Sequence, residues 1–471
     1  MQQGLAGQYY SASESEIINL AAVTRLWQDG DEAFSTRAKL CFTSCGQDYD
    51  LDSSPKDIAN LFSQLENDGS FVKIGENFLN TKSLQSVCYD GKEIEYQIAG
   101  ETKSEPVEPY EAKDIMDRLE KLTRFQRIDD HLVNMNKVIN MWFEEGGWFS
   151  DDRLEISFLG DSQIDVPMSK QDAERIQNEA SRRPQFQRVG GEILNLVMAG
   201  HVWEEKGTLH VGYPVDTCIV KMGDGAKAAK EHFSSRLGYL TFEGQKINPQ
   251  IISNAWEKEE GVLSSPKLEF NILDDDYYYI KMEPSRVKSA ITELKKNGDF
   301  VDICGEIYNI NSIGCAFYDG KSLSFTQGAE DYSEKMEEHK ARAILDTILV
   351  HEKFIEIDGG AVNIQFASCF EYEKGCMQCV LGQDVYDFKV SDAKAKKIFD
   401  QIREFGLEKE SKLNELRNSS QGKEGYEAVW DADLLAEIYE EIDTMHTTNT
   451  LLMTAVTLSI VNNSMHQPTN S

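Results

Sequence analysis

Basic residues are scarce in this 471-residue chain: 48 Lys and Arg stand against 81 Asp and Glu, a formal charge of −33. Such a deficit disfavours direct binding to nucleic acid or to an anionic membrane. Long apolar runs are missing too. The longest, Leu451–Val461, is interrupted by Thr and Ser and falls short of the roughly 20 residues a bilayer span needs. The opening stretch MQQGLAGQYYSASESE has no basic region followed by an apolar one, so no secretory signal is expected. Nine cysteines, an odd number, are dispersed and mostly embedded in strand-like runs. They read as small apolar residues of a protein in a reducing compartment, and the cytoplasm is the expected location.

Chemical motifs are equally short in supply. There is no GxGxxG, Walker loop, GxSxG, EF-hand or HExxH pattern. Cys376-Met377-Gln378-Cys379 has redox spacing but lies in a strand-like run, where residues three apart point to opposite faces. No second Cys pair or His cluster completes a zinc site. Neither a catalytic residue, a metal nor a cofactor is therefore expected.

What the chain does have is a repeat. Positions 67–96 and 296–325 align without gaps and share ten identities, among them Phe71/Phe300, Asn80/Asn309 and the Tyr-Asp-Gly-Lys runs at 89–92 and 318–321. The common frame is an aromatic residue, an apolar pair, and an Asn nine positions after the aromatic. It occurs seven times, ending at Asn19, Asn80, Asn134, Asn195, Asn248, Asn309 and Asn363, with steps of 61, 54, 61, 53, 61 and 54. Long and short units alternate, which gives a super-period of about 115 residues.

Within a unit, Phe71–Ile74 alternates as a strand, Phe78–Cys88 continues as a second, and Asp90-Gly91 turns a hairpin into Ile94–Ile98. A short fourth strand and an amphipathic helix over Tyr110–Leu122 complete a ββββα unit. Ser54-Pro55, Glu108-Pro109, Ser169, Asp224, Glu283-Pro284 and Ser391-Asp392 mark helix starts. The expected fold is an α+β tandem repeat, with one continuous sheet backed by a row of helices. The units run 1–70, 71–124, 125–185, 186–238, 239–299, 300–353 and 354–407. Residues 408–471 hold a polar linker near Asn418–Gly425 and an amphipathic helix whose Trp430, Leu434, Ile438 and Ile442 share a face, as a cap or an oligomerisation surface.

The repeated Asn is read as structural, since each unit needs the same backbone bend and a catalytic group has no reason to recur seven times. Eight residues after it stand Trp27, Cys88, Trp142, Trp203, Trp256, Phe317 and Glu371, expected to pack beneath the hairpin. Acid recurs at that hairpin: Asp29 and Asp31, Asp90, Glu144 and Glu145, Glu204 and Glu205, Glu257 and Glu259, Asp319, and Glu373. Stacked units would align these into a carboxylate stripe.

The reading is a non-enzymatic scaffold that engages a basic protein or copies of itself, with no membrane role. The alternative is DNA-related, as a mimic occupying a DNA-binding protein or a sliding-clamp-like ring. A third is an enzyme with a site between units, near Cys218 or Cys376 and Cys379.

Overall fold

The computed structural model describes residues 4–420 except 7, 14, 30–37, 45, 148–149, 160–161, 184, 207, 214–216, 222–238, 259–265, 273–275, 298, 328–329 and 383. The described residues form two compact units, residues 4–125 with 313–419, and residues 126–312. Six helices are described: α1 (Pro55–Asp68), α2 (Pro109–Glu120), α3 (Lys170–Ala180), α4 (Pro284–Asn297), α5 (Glu338–Ile348) and α6 (Asp392–Ser420).

The strands are gathered into seven separate antiparallel sheets, six of five strands and one of six. This corrects the single continuous sheet expected from the sequence. Residues 138–195 illustrate the module. Val138–Glu144, Arg153–Phe158 and Ser162–Pro167 form a meander, α3 crosses the sheet, and Phe186–Val189 with Glu192–Asn195 return as a hairpin. That hairpin docks beside the first strand, so Ser162–Pro167 and Phe186–Val189 are the two edges. The module is therefore βββαββ. It is cut just after the repeated Asn, so the hairpin that opens each repeat completes the sheet of the repeat before it.

Alternation explains which face the helix covers. Met141, Leu154, Ile156 and Val166 pack with Ala173, Ile176 and Ala180 of α3 in one core. Trp142 lies between Met141 and Phe143 and is paired with Glu155, so it belongs to the opposite face. Five helices start where the sequence marks them, at Pro55, Pro109, Lys170, Pro284 and Asp392, whereas Asp224 lies outside the described residues and Glu338 was not marked. Ser54 and Ser169 accept from the amides of Asp57 and Asp172, and Glu108 forms a capping box with Glu111. The C-cap of α1 is Gly69, whose φ of 74° suits glycine.

The expected second strand Phe78–Cys88 is broken at Asn80, and the two parts lie in different sheets. The Asn80 Oδ1 accepts from the Lys82 amide at 3.0 Å, and its Nδ2 donates to the carbonyls of Val23 at 2.9 Å and Leu20 at 3.2 Å. The Oδ1 bond to the residue two ahead recurs at all seven positions. The Nδ2 bonds reach back to the turn that follows the preceding Asn. Asn195 donates to Val138, Asn248 to Val197 and Ala199, Asn309 to Ile252, and Asn363 to Ile313. An alternating apolar run carries no mark of this switch, because hydrophobic alternation continues on both sides of the turn.

The first and last repeats are joined by strand pairing. Glu16–Asn19 pairs with Ala367–Glu373, Ile17 opposite Phe370 and Ile18 opposite Cys369. Tyr9 and Ile17 are fully buried in a core with Phe370, Met377, Cys379, Ile398 and Phe399. The seventh sheet is thus finished by N-terminal strands. Beyond it, α6 is one helix through Ser420, so Asn418–Ser420 is helical where a linker was expected. Trp430, Leu434, Ile438 and Ile442 lie outside the described residues.

Candidate interaction surface

The acidic hairpin residues are exposed or half-buried where they are described; Asp31 and Glu259 lie outside the described residues. The two Tyr-Asp-Gly-Lys copies use their acid locally. Asp90 Oδ1 accepts from the amides of Lys92 at 2.8 Å and Glu93 at 2.9 Å, and those bonds hold its carboxyl below the usual range. Asp319 does the same with Lys321 and Ser322, each at 2.7 Å. Both acids shape their turns as well as charging them.

Elsewhere the tip carboxylates have nearby cations. Glu144 pairs with Arg153, Glu145 with Lys170 at 2.9 Å, Glu205 with Lys206 at 3.2 Å, and Glu373 with Lys374. Exposed pairs of this kind contribute little to stability, but they lower the field each tip projects. Asp29, Glu204 and Glu257 complete the set near strand ends.

The sequence reading missed the stronger acid feature, which is the outer strand of the meander. Gln47–Ser53 exposes Asp48, Asp50 and Asp52 on one face, with Asp48 held by Arg25 at 3.3 Å and Asp50 by Lys39 at 2.5 Å. Glu101–Pro106 carries Glu101 and Glu105, Ser162–Pro167 carries Asp165, Glu330–Lys335 carries Glu330, Asp331 and Glu334, and Asp384–Lys389 carries Asp384 and Asp387. Each of these strands is a sheet edge. Charge there is how a sheet keeps its unpaired backbone from joining another. The signal was present as acid in the stretches just before several helix starts, Asp48, Asp50 and Asp52 before Pro55 among them, but only topology shows that these strands are edges.

Trp27, Trp142, Trp203 and Trp256 sit half-buried on the face away from the helix. Arg25 lies over Trp27 at 4.3 Å, and Trp256 meets Tyr277 edge-on at 5.8 Å. On the same face two carboxylates are buried. Glu155 accepts from Arg153 at 2.8 Å and Gln163 at 3.1 Å, and burial pushes its carboxyl up. Glu269 pairs with Lys258 at 3.0 Å. Trp203 stacks between His201 at 4.5 Å and His210 at 4.9 Å.

His201 is enclosed further by the edges of Phe270 and Tyr278, at 5.2 and 5.3 Å. Backbone closeness permits this: a Cβ on Gly212 would come within 2.8 Å of the Tyr278 ring. The His201 Nε2 lies 2.7 Å from the Gln245 side-chain oxygen, while burial holds the imidazole neutral and lowers its pKa to about 4. No sequence spacing announces this cluster, since its rings come from two modules.

The described thiols are all free. Cys376 and Cys379 lie on one strand, the first half-exposed and the second buried, facing opposite sides of the sheet. Among the described residues no three His, Cys, Asp or Glu side chains converge as metal ligands, and no helix is long and apolar enough to cross a membrane. No protein-family model matches the chain, and no curated protein matches it.

Proposed function

We propose that the chain is a non-enzymatic interaction scaffold whose modules present acidic edge strands to a basic protein partner. The observation that carries this reading is the outer strand Gln47–Ser53. Its three aspartates line one face of a sheet edge whose backbone hydrogen-bonding groups have no second strand. A basic extended segment would add there through main-chain bonds and set its side chains against the carboxylates. The free thiols suit an intracellular, reducing setting.

The test is cross-linking of the intact protein in its native lysate at low and high salt, with the cross-linked partner residues mapped. Basic segments mapped to the outer strands, lost in an Asp48→Asn/Asp50→Asn/Asp52→Asn variant of unchanged melting point, support the reading. A partner that stays bound to that variant, or maps to the helices, overturns it. The same aspartates suit a second reading, in which they imitate phosphates. Competition of the captured partner by duplex DNA separates the two.

A further inference from the structure

One outer strand breaks the acidic rule. Asp276–Lys281 exposes Tyr277 (71 %), Tyr279 (51 %) and Lys281. Every other outer strand whose side chains are described exposes acid, and Pro106 and Pro167 also end two of them. A sheet edge that is aromatic, without proline and free of outward acid keeps Lys281, at its end, as its one outward charge against strand addition.

The module one super-period earlier shows that the fold does not require this. In residues 138–195 the row nearest the hairpin is Glu144, Arg153 and Pro167, and the first two form an ion pair. The matching row in residues 252–309 is Lys258, Lys267 and Lys281. Three like charges side by side across a sheet are unfavourable. Lys258 is relieved by Glu269, and Lys267 sits 4.3 Å over the Tyr279 ring. Lys281, at the edge, is exposed.

We propose that Asp276–Lys281 pairs antiparallel with the same strand of a second copy of this chain, merging two five-stranded sheets across a two-fold axis. Residues opposite one another on antiparallel strands share a face, so the register that keeps Tyr277, Tyr279 and Lys281 together places Tyr279 opposite Tyr279 and Tyr277 opposite Lys281. Each Lys281 then gains an aromatic face, and the tyrosines form a cross-strand pair. The outward face of this strand, Tyr277, Tyr279 and Lys281, carries no carboxylate, so copies meet here without the repulsion expected between acidic edges. The contact is isologous and closes at two copies. It does not depend on the scaffold reading.

Sedimentation of the full chain across concentration reads the state directly. A species of twice 53.3 kDa is expected, reverting to 53.3 kDa in Tyr279→Asp with an unchanged melting point. Oxidised Tyr279→Cys should give a covalent dimer, because the register sets those two residues opposite each other within disulfide reach. Ser333→Cys, on an acidic edge, should give no more than the unmodified protein does. A monomer at every concentration overturns the proposal. So does a dimer that survives Tyr279→Asp, or equal cross-linking at positions 279 and 333. Binding of a basic partner is unaffected by Tyr279→Asp, which keeps this outcome separate from the scaffold test.

Discussion

Asn19 donates through Nδ2 to the carbonyl of Gln365 at 2.9 Å, across 346 residues of chain. Elsewhere the same bond joins one repeat to the repeat just before it in sequence, as Asn80 does with Val23. Here it joins the first repeat to the last. The bend that each unit needs for itself thus also ties the first repeat to the seventh, beside the strand pairing of Ile17 with Phe370.

Replacing Asn80 by Ala removes three hydrogen bonds, two of them to buried carbonyls. The expected loss is about 2–3 kcal/mol, read by chemical denaturation. Asn80→Asp should cost at least as much, since its second carboxylate oxygen would face the Val23 and Leu20 carbonyls in place of the lost donor. An unchanged melting point for Asn80→Ala would show that the carboxamide is not needed for the fold.

Deleting residues 1–22 takes Tyr9, Tyr10, Ile17 and Ile18, all buried, out of two cores. At about 1.5–3 kcal/mol for each large apolar side chain, a loss of roughly 5 kcal/mol or more is expected. A synthetic peptide of residues 1–22 should raise the melting point of the truncated protein. No effect of the peptide would mean that the seventh sheet holds without its N-terminal strands.

His201 gives a pH dependence of defined sign. Its imidazole is neutral in the fold with a pKa of about 4, against 6.5 when unfolded. Between those values the unfolded chain takes up a proton that the fold refuses, so stability falls as pH drops from 6.5 toward 4. The slope is about 1.4 kcal/mol per pH unit, or roughly 3 kcal/mol in all. Nothing from this residue is expected above pH 6.5. Denaturation of His201→Gln alongside the parent should show a shallower fall over that window; parallel curves would exclude the residue as the source.

Thiol reactivity should sort by burial. Cys304 is exposed, whereas Cys315, Cys369 and Cys379 are buried, and burial pushes the Cys315 thiol up to about 11. Timed alkylation with peptide mapping should label Cys304 in the native protein and those three only after unfolding. Rapid native labelling of Cys379 would show that its sheet opens.

The sevenfold repeat, five of the helix starts and the Asp-Gly hairpins were legible in the sequence, because turn chemistry and hydrophobic period are local. The Asn register was legible for the same reason: each copy accepts from its own residue two ahead. What those asparagines donate to was not, since the carbonyls lie some 50 residues back, or in the seventh repeat for Asn19. Which strands are edges was decided by the tertiary structure alone. The repeat frame begins at the aromatic strand, but the sheet is closed by the hairpin of the following unit, and alternation reads the same in an edge strand and a central one. That is why the tip carboxylates were anticipated and the acidic outer strands were not. The aromatic edge at Tyr277 and Tyr279, and the rings gathered around His201, exist only once separate stretches of chain are paired into sheets and those sheets are set against one another.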